Sequence, residues 1–582
     1  MHDLAITGGT VIDGTGSVRF AANVYVTGGR ISGVSAGHQD AREVIDASGL
    51  IVSPGFLDVH THYDAQALWD PTLSPSSFHG VTTVFGGFCG FSIAPLTPET
   101  APYLMPMLAR VEGMPLESLE AGVPWDWESF GDYLGKLEGK LAINAGFLCG
   151  HSALRRKVMG TRAVGSEATQ AEVDTMKALL REAISQGALG FSTSLSETHF
   201  DGNADPVPSR HASMDEILQL FAVLPEFEGT IAEIAPPSLN FTPETYEILT
   251  DVSLAARRPV NWNLMSLSQL TPEEYERVDM QLGASDHAAA RGARVVGLTL
   301  PQTPRTRVNF ITGTLLNSMP EWGALFKLPI EERKAALLDP AWRERLKAGA
   351  ASMSGIMASM GNFGAMKVAS VHSQANRAYE GRLVDEIAAE QGREAFDMFV
   401  AIALTDDLRT VFMPGYKADK DEAFPERAKL WLDERTVVGG SDAGAHLDMI
   451  DTFAITTELI GSGARQHGAV SLEEAVHQVT LKPATFMGLK DRGRIAEGWH
   501  ADLVLFDPDS IGVGETYMRE DLPGGGARLY ADAKGIERVI VGGTEIIRNG
   551  TWTGATPGAI LKPGEATRTV PIPADSKDAD HA

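Results

Sequence analysis

Two histidines one residue apart, His60 and His62, close an apolar run that begins at Ile51. In an extended segment alternate side chains share a face, so two imidazoles at this spacing can grip one cation. Asp58 and Asp64 flank the pair with carboxylates able to brace it. Cys89, set among Gly86, Gly87 and Gly90, adds a sulfur that can ligate as thiolate where glycines let the backbone come close. Asp442, between Gly440 and Gly444, offers a carboxylate that can coordinate a metal or exchange a proton with a water. Each has an ordinary alternative taken singly: exposed histidines on an edge strand, a buried structural cysteine, a helix N-cap at Asp442. Together they read as a metal site with one acid/base group.

The elements that would position these residues alternate in type. Strand-like apolar runs cover residues 51–62, 81–89, 143–150, 189–194, 230–234, 260–263, 294–300 and 437–442, and helical periodicity appears between them, as in 167–186, 214–224 and 472–479. Eight such units predict an α/β fold, a distorted (β/α)8 TIM barrel over residues 54–489, with a large open α/β sheet as the alternative. The chemistry-bearing residues fall at strand ends, where barrels build their sites. Short strands with Gly-rich turns occupy residues 1–53 and again 490–570, which predicts one small β-sandwich domain shared by both termini. Residues 306–365 read as an insertion over the site, with a helix at 329–348 and a Ser/Met/Gly-rich stretch at 353–360. Residues 367–372 read as a supplementary strand or as the true seventh, and residues 571–582 as a flexible tail.

Further residues are candidates for substrate contact. His151 and Arg155 follow the third strand, and Arg210 lies in a Pro-rich loop; either arginine could clasp a carboxylate with two parallel bonds. Ser194, His372 and His446 complete that set. Cys149, His199, His211 and His287 read as structural or solvated residues.

Composition bounds the partners. The chain has 582 residues, 49 Lys plus Arg and 76 Asp plus Glu, a net charge of −27. Such an acidic balance argues against nucleic acid or an anionic membrane as the main partner and leaves a small-molecule substrate. No basic-then-apolar leader and no bilayer-length apolar run are visible, and only two cysteines are present. These features predict a cytoplasmic protein, and they leave a homo-oligomer open.

The motifs from Pro54 to His62, Gly150-His151-Ser152-Ala153-Leu154-Arg155, Gly190 to Leu195, Gly440-Ser441-Asp442-Ala443-Gly444, Lys482 to Thr485 and Gly498 to Val504 resemble the metal-dependent amidohydrolase superfamily, and within it the D-aminoacylase group. The resemblance spans nearly the whole chain. It implies a barrel with a terminal β-sandwich, one or two zinc ions, and cleavage of an N-acyl amino acid amide by a metal-activated water. Carried over by position, His60, His62 and Cys89 would be ligands and Asp442 the acid/base. The group carries histidines at the ends of the fifth and sixth strands, where this chain has Glu233 and Asn263, so these are the expected oxygen ligands. No lysine closes the fourth strand, which excludes a carboxylated-lysine bridge and makes a single-ion site or an altered metal an expectation. A cyclic-amide hydrolase and a catalytically impaired binding protein on the same scaffold are the two alternatives.

Overall fold

The computed structural model describes residues 1–575 apart from 269, 314, 354–359 and 415–420. Among the described residues the centre of the molecule is a run of parallel strands: β1 (Phe56–Asp58), β2 (Val81–Gly86), β3 (Asn144–Phe147, resuming at Cys149–Gly150), β4 (Gly190–Ser194), β5 (Ile231–Ala235), β6 (Val260–Met265), β7 (Val295–Thr299) and β8 (Thr436–Val438). Each pairs in parallel with the next, β1 through β8. A parallel bridge joins Thr61, just past β1, to Ala443, just past β8. These strands are almost wholly buried, as expected where both faces are covered, although several carry Ser, Thr or Asn. In β5 every residue is buried, with Glu233 the one charge.

Helices alternate with the strands. The chief ones are α1 (Ala101–Val111), α2 (His151–Met159), α3 (Gln170–Ser185), α4 (Met214–Phe221), α5 (Pro243–Ala256) and α6 (Pro272–Ala290). Their boundaries are local chemistry. Before α3, the Thr169 side chain accepts from the Glu172 amide while the Thr169 amide donates to the Glu172 carboxylate, a reciprocal cap that satisfies two otherwise orphaned donors. Val173, Met176, Leu180 and Ile184 follow at helical spacing, and all are buried.

Both termini contribute to one seven-stranded sheet. Its central strand, Leu503–Phe506, lies between Ile51–Pro54 and Ile536–Val541, and Thr10–Val11 and Phe20–Ala21 complete the N-terminal side. A four-stranded sheet from residues 2–46 packs against it through Ile6, Val24, Val26, Leu503, Leu505 and Ile540.

Several expectations are corrected. The run 51–62 is two strands in two sheets, because the Pro54-Gly55 corner turns the chain out of the terminal sheet and into β1. The helix expected over 329–348 is two, Ile330–Leu338 and Pro340–Ala351, since Pro340 lacks the amide a continuous helix needs and Asp339 instead caps the second. The insertion reaches well past residue 365: its own core runs from Val308 to Phe412 around Trp322, Phe363 and Phe399. Residues 367–372 supply the strand Lys367–Ser370, which pairs antiparallel with Val411–Met413 inside the insertion. The hairpin Gly512–Arg519 with Arg528–Lys534 was not expected from the sequence. Of the presumed tail, residues 571–575 are docked, with Ile572 buried and the Ala574 amide donating to Gly292 O at 2.9 Å. Residues 576–582, and 354–359 of the Ser/Met/Gly-rich stretch, lie outside the described residues.

Candidate metal centre and catalytic cleft

The histidine pair lies beyond the end of β1, yet the alternation survives. The Thr61 amide donates to Phe85 O at 3.0 Å and the His62 amide to Ala443 O at 2.8 Å, so the backbone stays extended between the ends of β2 and β8. Asp58, the last residue of β1, accepts a 2.6 Å hydrogen bond from Ser441 Oγ, which anchors the loop one residue before Asp442. At Gly444, φ is +89° and a Cβ would stand 2.8 Å from the His62 carbonyl carbon, so only glycine admits this approach of the β1 and β8 loops. Cys89, Asp442 and His446 all hold left-handed backbone, with φ of 55°, 51° and 50°. Such geometry costs on the order of 1–3 kcal/mol per non-glycine residue and collects at functional sites.

The donor atoms converge. The ligating atoms of His60, His62 and Cys89 lie within 4.8 Å of one another. Asp442 Oδ1 stands 3.2 Å from His60 Nε2 and 3.6 Å from His62 Nε2. Cys89 Sγ is 3.5 Å from His60 Nε2 and 3.9 Å from Asn263 Oδ1. Asn263 Nδ2 is 3.3 Å from His60 Nε2. Glu233 Oε2 accepts from the Cys89 amide at 2.9 Å, while its Oε1 is buried with no hydrogen-bond partner. Two imidazoles, a thiol and carboxylates form a donor set that suits zinc. The electrostatics agree: burial pushes the Cys89 thiol and the Glu233 carboxyl well up, the pattern a cation between them would reverse. Burial also works against charge on Asp442, but hydrogen bonds and attraction from His60 and His62 hold its carboxyl well below the usual range.

Sequence reasoning missed Glu112, which follows α1. Its Oε1 lies 3.3 Å from His62 Nδ1, and it is buried, with its pKa pushed up to about 7 by that burial. A carboxylate behind an imidazole fixes the ring so that the other nitrogen faces the site. Burial opposes charge on His62, but Glu112, Asp442 and Asp64 together raise it to about 9. No motif marks Glu112; the one signal was a carboxylate set between Val111, at the end of a helix, and Gly113. The carboxylates flanking the histidines brace loops rather than rings: Asp58 holds Ser441, and Asp64 accepts from the Gly87 amide at 2.9 Å on the approach to Cys89.

The residues expected to touch substrate divide. His446 is brought to the site: it lines a cavity of about 100 Å³, and burial lowers its imidazole to about 4, with Asp442, His62 and His60 the charges it faces. Arg155 is corrected. It is fully buried, ion-paired with Glu216 and bonded to Ser166 O at 2.7 Å, and breaking a buried pair costs about 3–5 kcal/mol. His151 belongs to the same network, bonded to Glu216 at 2.9 Å and Thr193 at 2.8 Å, so neither is free for a substrate. Arg210 braces a loop, its Nη1 donating to His199 O at 3.1 Å. Ser194 shares a 2.7 Å hydrogen bond with His199 Nδ1. His372 is exposed on the insertion, its backbone amide held by Asp406 at 2.9 Å. His199, read from sequence as a solvated loop residue, instead forms a wall of the site; burial, with the nearby His446 and His62, pulls its pKa down to about 3. It lines both the small cavity and a cleft of about 310 Å³ that holds Cys89, Asn263, Pro236 and Leu239. Cys149 and His287 are structural as read, the former buried and the latter paired with Glu247 at 3.2 Å.

Parallel strands whose C-terminal ends gather histidines, a cysteine and an aspartate around a cleft define a barrel-like metal-dependent hydrolase. Residues 43–547 match the amidohydrolase family, and the chain belongs to that family. It is similar to the N-acyl-D-aspartate deacylase of Alcaligenes xylosoxydans xylosoxydans, 30% identical over 97% of this chain and 96% of that one. The D-aminoacylase of the same organism is 26% identical over 96% and 97%. A solved D-aminoacylase described as having a binuclear metal centre superposes with a TM-score of 0.66 at 26% identity, covering 97% of this chain and 100% of that one. Among the described residues no helix is long and apolar enough to cross a membrane.

Proposed function

We propose that this chain hydrolyses the amide bond of N-acyl-D-amino acids with zinc held by His60, His62 and Cys89, completed by Asp442, Glu233 and Asn263. The observation that carries this reading is the convergence of three ligating atoms within 4.8 Å of one another, with Asp442 Oδ1 at 3.2 and 3.6 Å from the two imidazoles. The 30% identity to an N-acyl-D-aspartate deacylase supports the substrate class. When bound, the ion supplies Lewis acidity that makes a water nucleophilic near neutral pH and polarises the amide carbonyl.

The protein's own groups do the rest. Glu112 holds His62 so that its Nε2 faces Asp442. The Asp442 carboxylate takes the proton from the attacking water and delivers it to the amine nitrogen as the C–N bond breaks and the C–O bond forms, leaving a carboxylic acid and a free amine. His446 and His199 wall the cleft and orient the substrate. Three further assignments belong to this reading. The strands β1–β8 close into a barrel through the Thr61–Ala443 bridge; residues 1–53 and 490–570 form the sandwich around it, with 54–489 as the catalytic barrel; and the two unpaired cysteines support a cytoplasmic location.

Steady-state kinetics on N-acetyl-D-amino acids test the proposal. Asp442→Asn should lower kcat by about 10²–10⁴-fold while fold and KM stay close to wild type; near-normal turnover in that variant would move the proton transfer to another group. Wild-type protein loaded with zinc or cobalt that turns over a hydantoin but no acyclic amide would favour the cyclic-amide reading. No turnover of either would favour a binding protein.

A further inference from the structure

Arg110 is a charged residue outside the metal centre that borders the same cleft. It stands at the C-terminal end of α1, two residues before Glu112. Its Nε and Nη2 are buried and have no hydrogen-bond partner, and among the described residues no carboxylate lies within ion-pair distance of it. The acidic charge it feels is Asp201, but that carboxylate is engaged. Its Oδ2 accepts from Tyr103 Oη at 2.9 Å, and its Oδ1 from the Asn203 and Asp205 amides at 2.8 and 3.0 Å. On the insertion side Arg333 adds to the positive field. Among the described residues its guanidinium bonds only carbonyl oxygens, those of Phe310, Ile311, Phe326 and Leu328. A cation taken partly out of water without a counter-charge is costly. Here it borders the cavity of about 100 Å³ whose other walls include Thr198, His199, Asn317, Ser318 and His446. His446 is the wall that faces Asp442, His60 and His62.

We propose that Arg110 is the specificity residue that anchors a carboxylate of the substrate, with Asn317 and Ser318 of the insertion completing the pocket, so that the enzyme selects anionic N-acyl amino acids. This rests on the reading of the metal centre given above. The guanidinium presents a fixed fork of donors that matches a carboxylate, and the Arg110 cavity and the metal centre share the His446 wall. Arg155 and Arg210, the arginines the sequence offered for this task, are committed elsewhere.

The zinc-loaded enzyme should be titrated calorimetrically with N-acetyl-D-aspartate, with N-acetyl-D-asparagine, in which the side-chain carboxylate is neutral, and with the α-amide of N-acetyl-D-aspartate, in which the α-carboxylate is neutral. One neutralised form should bind about 10- to 100-fold more weakly than the parent acid, and which one identifies the carboxylate that Arg110 meets. Arg110→Met should erase that difference while leaving the affinity for the weak form unchanged, and Arg110→Lys should restore part of it, an outcome that loss of structure would not produce. Equal binding of all three ligands by wild type, or an undiminished preference in Arg110→Met, would overturn the assignment. Discrimination without turnover of any of the three would instead refute the proposed reaction and leave Arg110 as an anion anchor.

Discussion

Glu112 shows how a residue with no motif can govern one that has a strong motif. The spacing of His60 and His62 is enough to nominate them, but which nitrogen of His62 faces the site depends on the carboxylate 3.3 Å from its Nδ1. Glu112→Gln keeps the shape and loses the charge, so zinc affinity measured by chelator competition should fall about 10- to 100-fold with the circular dichroism spectrum unchanged. Unaltered affinity would mean that the ring is oriented by packing alone. The same scale explains the arginines. From sequence, Arg155 and Arg210 looked equally able to hold a carboxylate, and Arg110 drew no attention. Burial of Glu216 against Arg155, and the lack of any such partner for Arg110 among the described residues, reverse that order, because an arginine's availability is set by what it already touches.

At the scale of elements, the unexpected hairpin Gly512–Arg519 with Arg528–Lys534 docks against the parallel-strand core through His79, in the turn before β2. His79 Nδ1 is 2.6 Å from Thr457 Oγ1, and Nε2 donates to Ala531 O at 2.9 Å, so the neutral ring is satisfied when the Thr457 hydroxyl turns its proton to Nδ1 rather than to Ala454 O. Burial lowers its pKa from 6.5 to about 4. As pH falls below 6.5 the unfolded chain binds the proton and the folded chain does not, so the stability this residue contributes is complete above pH 6.5 and is lost progressively down to pH 4. The loss is roughly 3 kcal/mol. His79→Gln, which has no proton to take up, should therefore lose less apparent Tm than wild type between pH 7 and pH 4.5, and equal losses would remove His79 as a cause of acid sensitivity. Strands were more legible than their partnerships. Apolar runs marked each of β1–β8, but the split of 51–62 between two sheets depends on the Pro54-Gly55 corner meeting strands from residues near 500, and no local pattern encodes that meeting.

For the whole molecule, the termini are interdependent. Leu503–Phe506 hydrogen-bonds on one side to Ile51–Pro54 and on the other to Ile536–Val541, and Leu561 packs with the strand residues Leu57 and Phe85. Ending the chain at residue 500 would uncover the apolar faces of Ile6, Val24 and Val52 and should yield insoluble protein on expression; a soluble, active truncation would show that the N-terminal strands stand alone. The sequence by itself marked the eight strand runs, nominated His60, His62, Cys89 and Asp442, and brought both ends of the chain together, because periodicity, Gly/Pro corners and metal-ligand residue types are local signals carried by neighbouring residues. Only the tertiary structure decided that Glu112 backs His62, that His199 walls the cleft, that Arg155 is consumed by Glu216, and that Arg110 is left facing a cavity. Each of these depends on burial and on partners remote along the chain, and a charge has no assigned role until the fold has settled which other charges lie beside it.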